Sequence, residues 1–146
     1  MNDKAPYRLQ IFFKRPEAGY RLIIQNDSAI EAKFPDGKEG LLTGTEFSEI
    51  NIRAGVLTIN MQLLRGQYDH KFRYQNGYFA LIGFMETYSD GHGIATTTDY
   101  NLSTGVLLET VIEYETDKII SKTKKTIKVN PLPDLKRFTP FSTTLY

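Results

Sequence analysis

Short runs of alternating apolar and polar residues, separated by tight-turn signals, extend over almost the whole chain. The strongest of these signals is Asn76-Gly77, because both central positions of a type I′ turn need positive φ, which asparagine tolerates and glycine favours. A hairpin around this dipeptide pairs Tyr74 with Phe79 and Phe72 with Leu81, and it places all four side chains on one face. Helical spacing of apolar residues is rare in any window of about 11 residues. The chain is therefore predicted to be all-β.

A second hairpin is predicted around Ala54-Gly55. A two-residue loop at this dipeptide aligns Ile52 with Leu57 and Ile50 with Ile59. A slip of one residue would lose this match, so the register is well specified.

A third hairpin is predicted at the N-terminal end of the chain, around the turn Pro16–Gly19. Proline suits the second position of a type I turn, and glycine suits its end. The expected register places Phe13 opposite Leu22 and Ile11 opposite Ile24.

A basic run, Lys118 to Lys128, follows a turn predicted at Thr116-Asp117. A two-residue turn aligns Glu115 with Lys118 and Glu109 with Lys124. We therefore expect a solvated, charge-complementary face rather than a binding patch, with each pair contributing about 0.2–1 kcal/mol. The opposite face is expected to supply core through Ile112, Tyr114 and Ile119.

The domain organisation follows from the chain length and the proline positions. A chain of 146 residues fits one ordinary domain, predicted over residues 1–129. Pro131, Pro133 and Pro140 cannot donate to a sheet, so residues 130–146 are expected to form an extended tail packed on the domain. Its docking side chains are expected to be Leu132, Leu135, Phe138 and Phe141. The predicted fold is an antiparallel meander of roughly nine strands that forms a sandwich or an open barrel.

Charge and hydropathy exclude some classes of partner. The formal net charge is +1, without the clustered positive charge that phosphate binding needs, so nucleic acid is not an expected partner. No apolar run approaches the roughly 20 residues of a membrane helix, so we expect no membrane insertion by this chain. The chain has no cysteine, which rules out thiol chemistry and thiolate metal sites.

The two histidines do not form a recognisable catalytic or metal site. His70 alternates with Phe72 and Tyr74, so a partly buried, satisfied histidine is favoured over a catalytic base. Asp90 and His92 share the turn Ser89–Gly93, and two ligands make a poor cation site. The loop Pro35–Gly40 lacks the oxygen ladder of a calcium loop. We predict no metal, no cofactor and no catalytic residue.

Strand carboxylates leave one enzymatic alternative open, because any two of them that approach each other could serve glycoside hydrolysis. The candidates are Glu49, Glu86, Glu109 and Glu113.

Tyrosine offers the best candidates for binding. The chain has nine tyrosines and nine phenylalanines but no tryptophan, so aromatic residues must fill core volume as well. Interface hot spots favour tyrosine. Packing is the favoured role of the tyrosines as a group, and the candidate contact residues for a partner are Tyr68, Tyr78, Tyr88, Asp90 and His92.

Several segments carry a resemblance to a known group of proteins. They are Phe47–Ile50, Ala54–Ile59, Asp69–Gly77, Leu81–Phe84, Thr98–Gly105 and Pro131–Leu135. Together these segments resemble the C-terminal β-rich module of uncharacterised bacterial envelope proteins, many of them predicted lipoproteins or exported proteins of Bacteroidetes-type bacteria. The resemblance implies a periplasmic or cell-envelope location and carries no set of catalytic residues. An exported N-terminal region precedes this part in such proteins, so the chain is expected to be a fragment or a shortened relative.

The leading functional hypothesis is a non-enzymatic binding module of a bacterial envelope or exported protein, with a protein or a glycan as its partner. One alternative is an inhibitor or immunity-type protein that blocks a hydrolase with Ser89–Gly93 or Pro35–Gly40, because a rigid scaffold lowers the ordering cost of a binding loop. The other is a small-ligand carrier barrel.

Overall fold

A computed structural model describes residues 7–31 and 46–142. Over these ranges the chain forms nine strands, so the all-β prediction is confirmed. The strands are β1 (Leu9–Lys14), β2 (Tyr20–Asn26), β3 (Glu46–Arg53), β4 (Val56–Leu63), β5 (Gly66–Gln75), β6 (Tyr78–Ser89), β7 (Ile94–Asn101), β8 (Val106–Glu113) and β9 (Lys118–Thr126). Strands β3 to β9 pair in chain order in one antiparallel sheet, and β1 and β2 form a separate hairpin. The large sheet is not closed into a barrel.

The two best-specified hairpins form as predicted. Asn76 and Gly77 have φ values of 52° and 85°. Tyr74 lies opposite Phe79, and Phe72 lies opposite Leu81.

The Ala54-Gly55 hairpin is confirmed as well. Ile52 pairs with Leu57, and Ile50 pairs with Ile59. Ala54 itself adopts a positive φ of 50°, so the short loop imposes its geometry even on a residue with a Cβ.

The register of the N-terminal hairpin was predicted only in part. Ile11 lies opposite Ile24 as expected, but Phe13 lies opposite Arg21 and not Leu22. A register shift between Ile11 and Phe12 inserts one extra residue, Ile23, into β2. Ile24 is buried and Ile23 packs against the core, so the bulge brings both isoleucines to it.

The predicted register of β8 and β9 is wrong. The connection spans Tyr114–Asp117, and the strand pair begins with Glu113 opposite Lys118. A register shift between Val111 and Ile112 then places Glu109 opposite Thr123, while Lys124 lies opposite Leu108.

The face of this pair that was expected to supply core does not. Tyr114 is 66% exposed, and Ile119 is 59% exposed. Ile112 is half-buried.

The core lies on one face of strands β4 to β6. The fully buried large side chains there include Ile59, Met61, Tyr68, His70, Phe72 and Leu81. The β1–β2 hairpin packs against the same core: the ring of Phe13 lies 5.0 Å from that of Tyr74 and 6.0 Å from that of Phe79.

The tail completes the core. Leu135 is fully buried and Phe138 is 5% exposed, so the predicted docking is confirmed for these two residues. Asn26 Nδ2 donates to the carbonyl oxygens of Leu135 (2.6 Å) and Phe138 (2.8 Å), which ties the tail to β2. On the other side, the Leu81 N–H donates to the carbonyl of Pro133 at 2.8 Å. The tail therefore bridges the hairpin and the large sheet.

The tail contains one element that was not predicted, the 3₁₀ turn Leu135–Arg137. Asp134 precedes it, and its carboxylate accepts a hydrogen bond from the Lys136 N–H at 3.0 Å.

Candidate functional site

Tyr68 lies in the core and not on the surface. Its side chain is 1% exposed, and its ring lies 4.9 Å from that of Phe141. Its hydroxyl donates to a Glu31 carboxylate oxygen at 3.1 Å. The prediction of Tyr68 as a contact residue is therefore wrong, because its position on β5 faces the covered side of the sheet.

Tyr78 is also separated from the other candidates. It is half-buried, and its hydroxyl is 3.5 Å from the carbonyl of Leu132 in the tail. It begins β6, whereas Tyr88 lies ten residues later on the same strand. At about 3.3 Å per residue, the two are roughly 33 Å apart along the sheet.

The other three candidates lie together. Tyr88 is near the end of β6, and Asp90 and His92 are in the loop that follows. Tyr88 is 45% exposed, and both loop residues are exposed.

Three connections between strands lie next to one another at this end of the sheet. In an antiparallel meander every second connection lies at the same end, so the β4–β5, β6–β7 and β8–β9 connections are neighbours there. We call this surface the turn rim. It comprises Leu64, Arg65, Tyr88, the loop Ser89–Gly93 and Tyr114.

Hydrogen bonds join the three connections of the turn rim to one another. The Ser89 N–H donates to the Arg65 carbonyl at 2.8 Å, and the Tyr114 N–H donates to the Gly93 carbonyl at 2.7 Å. The Arg65 guanidinium returns across the loop and donates from Nη1 to the Asp90 carbonyl at 3.0 Å. These hydrogen bonds hold the three connections together as one surface.

Gly91 accounts for the path of Arg65. It has a φ of +77°, and a Cβ at this position would overlap Nη1 of Arg65. Glycine therefore meets two needs at once: a left-handed backbone, and room for the guanidinium above it.

Asp90 shapes the loop from within. Its Oδ1 accepts hydrogen bonds from the backbone N–H groups of His92 (2.7 Å) and Ile94 (3.1 Å). These backbone bonds lower the pKa of the Asp90 carboxyl below its ordinary value. The carboxylate therefore caps the turn, as aspartate commonly does. Within the described residues, no group of three or more His, Asp or Glu side chains is placed to hold a metal ion.

The turn rim exposes three large apolar or aromatic side chains, Leu64, Tyr88 and Tyr114, beside the polar side chains of Arg65, Asp90 and His92. Leu64 is 63% exposed, and Tyr114 is 66% exposed. Two shallow depressions of about 450 and 420 Å³ flank Tyr88 and share Arg65 in their walls. Glu86 lines the first depression, and burial raises the pKa of its carboxyl above the ordinary value.

The sequence-based search missed Leu64, Arg65 and Tyr114. The alternation of connections between the two ends of a meander could have identified them. Leu64-Arg65 is the connection between β4 and β5, and it lies at the same end of the sheet as the Ser89–Gly93 loop. Tyr114 was assigned to the core, because the predicted two-residue turn kept it inside a strand.

His70 is a core residue, as the alternation of β5 indicated. It is 1% exposed, and its ring lies 4.8 Å from Phe138 and 5.0 Å from Phe84. Burial lowers its pKa to about 3, so the imidazole stays neutral near pH 7.

Two of the strand carboxylates share a face of the sheet. Glu86 of β6 and Glu109 of β8 both lie opposite Thr98 of the intervening strand. With strands about 4.8 Å apart, their Cα atoms are separated by roughly 10 Å.

No family model, no curated protein and no solved structure matches this chain. Among the described residues, no helix has the length and apolar character needed to cross a membrane.

Proposed function

We propose that this chain is a non-enzymatic binding module that contacts a protein partner through the turn rim. The observation that carries the proposal is the hydrogen-bonded union of three connections that presents Tyr88, Tyr114 and Leu64 to solvent. Tyrosine and arginine are enriched in the energetic centres of interfaces. A braced surface also loses little conformational freedom when it binds.

A glycan is the second partner class. Exposed tyrosine rings can pack against a sugar ring, and the shallow depressions beside Tyr88 offer space for one. Leu64 favours a protein partner, because an exposed aliphatic side chain gains more from an apolar contact than from a hydroxylated one.

A specific form of the proposal is an inhibitor or immunity-type protein whose Ser89–Gly93 loop enters the cleft of a hydrolase. The loop is held by Asp90 from inside and by Arg65 from outside, which suits a loop that must keep its shape. The other loop considered for this role, Pro35–Gly40, lies outside the described residues. The carrier hypothesis is not favoured, since it needs strands that enclose a cavity and this sheet is open.

The cell-envelope location is also part of the proposal. It is supported by the resemblance of the strand and turn segments to bacterial envelope proteins.

The test is a capture experiment with bacterial envelope and cytosolic extracts. The tagged chain is compared with a Tyr88→Ala/Tyr114→Ala variant and with a Tyr20→Ala control, since Tyr20 is 69% exposed on the β1–β2 hairpin. We expect a stoichiometric partner that the control retains and the double variant loses by at least tenfold. Equal retention by both variants would contradict a role for the turn rim.

If the captured partner is a hydrolase, a loop exchange separates the inhibitor form from general binding. Shortening Ser89–Gly93 to a two-residue Asn-Gly turn should abolish inhibition of that hydrolase. Unchanged inhibition would exclude this loop as the blocking element.

A further inference from the structure

Strand β9 is an open edge of the large sheet. Within the described chain it pairs with β8 alone, and all nine of its residues are exposed. An edge strand presents unpaired backbone N–H and C=O groups on its outer side, where another extended segment can add.

The observed register leaves three of the four lysines of this strand without a facing carboxylate. Lys122 lies opposite Thr110, Lys124 opposite Leu108 and Lys125 opposite Leu107. Only Lys118 has a glutamate opposite it, Glu113. No salt bridge to any of these four lysines occurs within residues 7–31 and 46–142. The neutralised face that the sequence predicted is therefore replaced by an uncompensated basic strand.

The lysines are distributed over both faces of the sheet. Lys122 and Lys124 share the face of Thr110 and Leu108, while Lys125 is on the opposite face with Leu107. A flat anionic surface, such as a membrane, would meet only one of these sets. An added strand meets both, because its own side chains alternate between the faces.

A second copy of this chain fits the edge poorly. Two β9 strands side by side would bring lysines next to lysines, and facing like charges destabilise a strand pair. Lysine on an edge strand is a common device against such self-pairing. The same charges favour an acidic partner, so repulsion of one strand and attraction of another can give specificity.

We propose that β9 receives an acidic, extended polypeptide segment, which adds to the sheet through backbone hydrogen bonds. Main-chain bonds supply part of the affinity in this mode of recognition, and the flanking side chains supply the specificity. Ile119 and Ile120, which are 59% and 54% exposed, offer apolar contact near the turn. This surface is separate from the turn rim and does not depend on the function proposed for it.

The test uses a defined probe, a ten-residue peptide with blocked ends in which pairs of glutamates alternate with pairs of valines, so that an added strand carries glutamates on both faces. Isotope-labelled protein is titrated with this peptide up to millimolar concentration, and amide chemical shifts are followed. We expect saturable shifts concentrated in β9 and in the facing positions of β8. Their absence at millimolar peptide would overturn the proposal.

A charge-reversal variant and a matched control test the role of the lysines. Lys122→Glu/Lys124→Glu/Lys125→Glu should weaken peptide binding at least tenfold. Lys14→Glu/Arg15→Glu/Arg21→Glu makes the same charge change at exposed residues of the β1–β2 hairpin and should leave binding within about twofold. If the first variant does not give a dispersed amide spectrum, the single change Lys124→Glu takes its place, with a smaller loss expected.

A backbone-modified peptide tests strand addition itself. N-methylation of every residue keeps the charges but removes the backbone donors on both edges, so binding should fall at least tenfold. Equal binding of the methylated and unmethylated peptides would mean simple charge attraction and would overturn the proposal. Stronger binding to phosphatidylserine vesicles than to the peptide would overturn it as well.

The Tyr88→Ala/Tyr114→Ala variant should bind the peptide normally, which separates this proposal from the function of the turn rim.

Discussion

Strands β4 to β6 contribute fully buried side chains to the core, whereas strand β8 is only half-buried and strand β9 is exposed along its whole length. Ile59 of β4 is 1% exposed, whereas Ile119 of β9 is 59% exposed. The difference comes from the second layer, because the β1–β2 hairpin and the tail cover the first region. We call β4–β6 with its cover the two-layer core, and β8–β9 the outer ribbon. Alternation thus fixes which residues share a face, while a separate part of the chain decides whether that face is buried.

The largest expected effect contrasts a core residue of the tail with an exposed residue of the outer ribbon. Phe138 is 5% exposed and packs against His70 and Phe72, so Phe138→Ala should lower the free energy of unfolding by about 3–5 kcal/mol. Ile119→Ala should change it by less than about 0.5 kcal/mol. Urea unfolding measures both values. Similar losses in the two variants would contradict the distinction between the regions.

Acidification should weaken the two-layer core through His70. Its folded pKa of about 3 lies below its ordinary value of 6.5, so the unfolded chain takes up a proton that the folded chain excludes. The stabilisation is complete above pH 6.5 and is lost progressively as the pH falls toward 3. Between pH 7 and pH 4 the loss should be roughly 3 kcal/mol.

The variant His70→Leu isolates this contribution, because carboxylates that also titrate in this range remain in both proteins. The wild type should lose roughly 3 kcal/mol more than His70→Leu on going from pH 7 to pH 4. If the free energy of unfolding changed with pH to the same extent in the wild type and in His70→Leu, the pH dependence could not be assigned to His70.

The attachment of the tail should depend on Asn26. Its amide donates to two tail carbonyls, and its Oδ1 accepts from the Ser28 N–H at 2.6 Å. Asn26→Ala removes all three of these hydrogen bonds, two of them buried, and should lower the free energy of unfolding by about 2–3 kcal/mol. The control is Gln10→Ala, since Gln10 bonds Gln25 at an exposed site. A loss no larger than that of the control would mean that the tail is held without the help of Asn26.

The smallest effect is expected in the turn rim. Gly91→Ala and Gly19→Ala both place a Cβ on a backbone of φ near +76°, which costs about 1 kcal/mol. At Gly19 the added methyl group meets open space, but at Gly91 it displaces Arg65. Only Gly91→Ala should therefore weaken partner capture in addition to its modest loss of stability. Identical partner capture by the two variants would show that binding does not require the contact between Arg65 and the Ser89–Gly93 loop.

The sequence predicted strand pairing well wherever a two-residue turn was flanked by matched apolar residues. Ile50 with Ile59 and Phe72 with Leu81 are such cases. Pairing was mispredicted where a bulge intervened, as at Ile23, and where a connection was longer than predicted, as between Glu113 and Lys118. A bulge depends on what the strand packs against, and that information is not local to the strand.

The candidate site was predicted only in part for the same reason. Tyr88, Asp90 and His92 belong to one loop, so their proximity was visible in the sequence. Arg65 and Tyr114 reach this loop only through the topology of the sheet. The burial of Tyr68 depends on its strand face and on the tail residue Phe141, 73 positions along the chain.

The central claim is that the turn rim, and not the outer surface of the two-layer core, contacts the protein partner proposed for it. A photo-crosslinking residue, benzoyl-phenylalanine, can replace Tyr114 or Tyr20, which are 66% and 69% exposed. Irradiation in bacterial envelope extract should give a discrete adduct from position 114 and none from position 20. An adduct from position 20, with none from position 114, would contradict the claim.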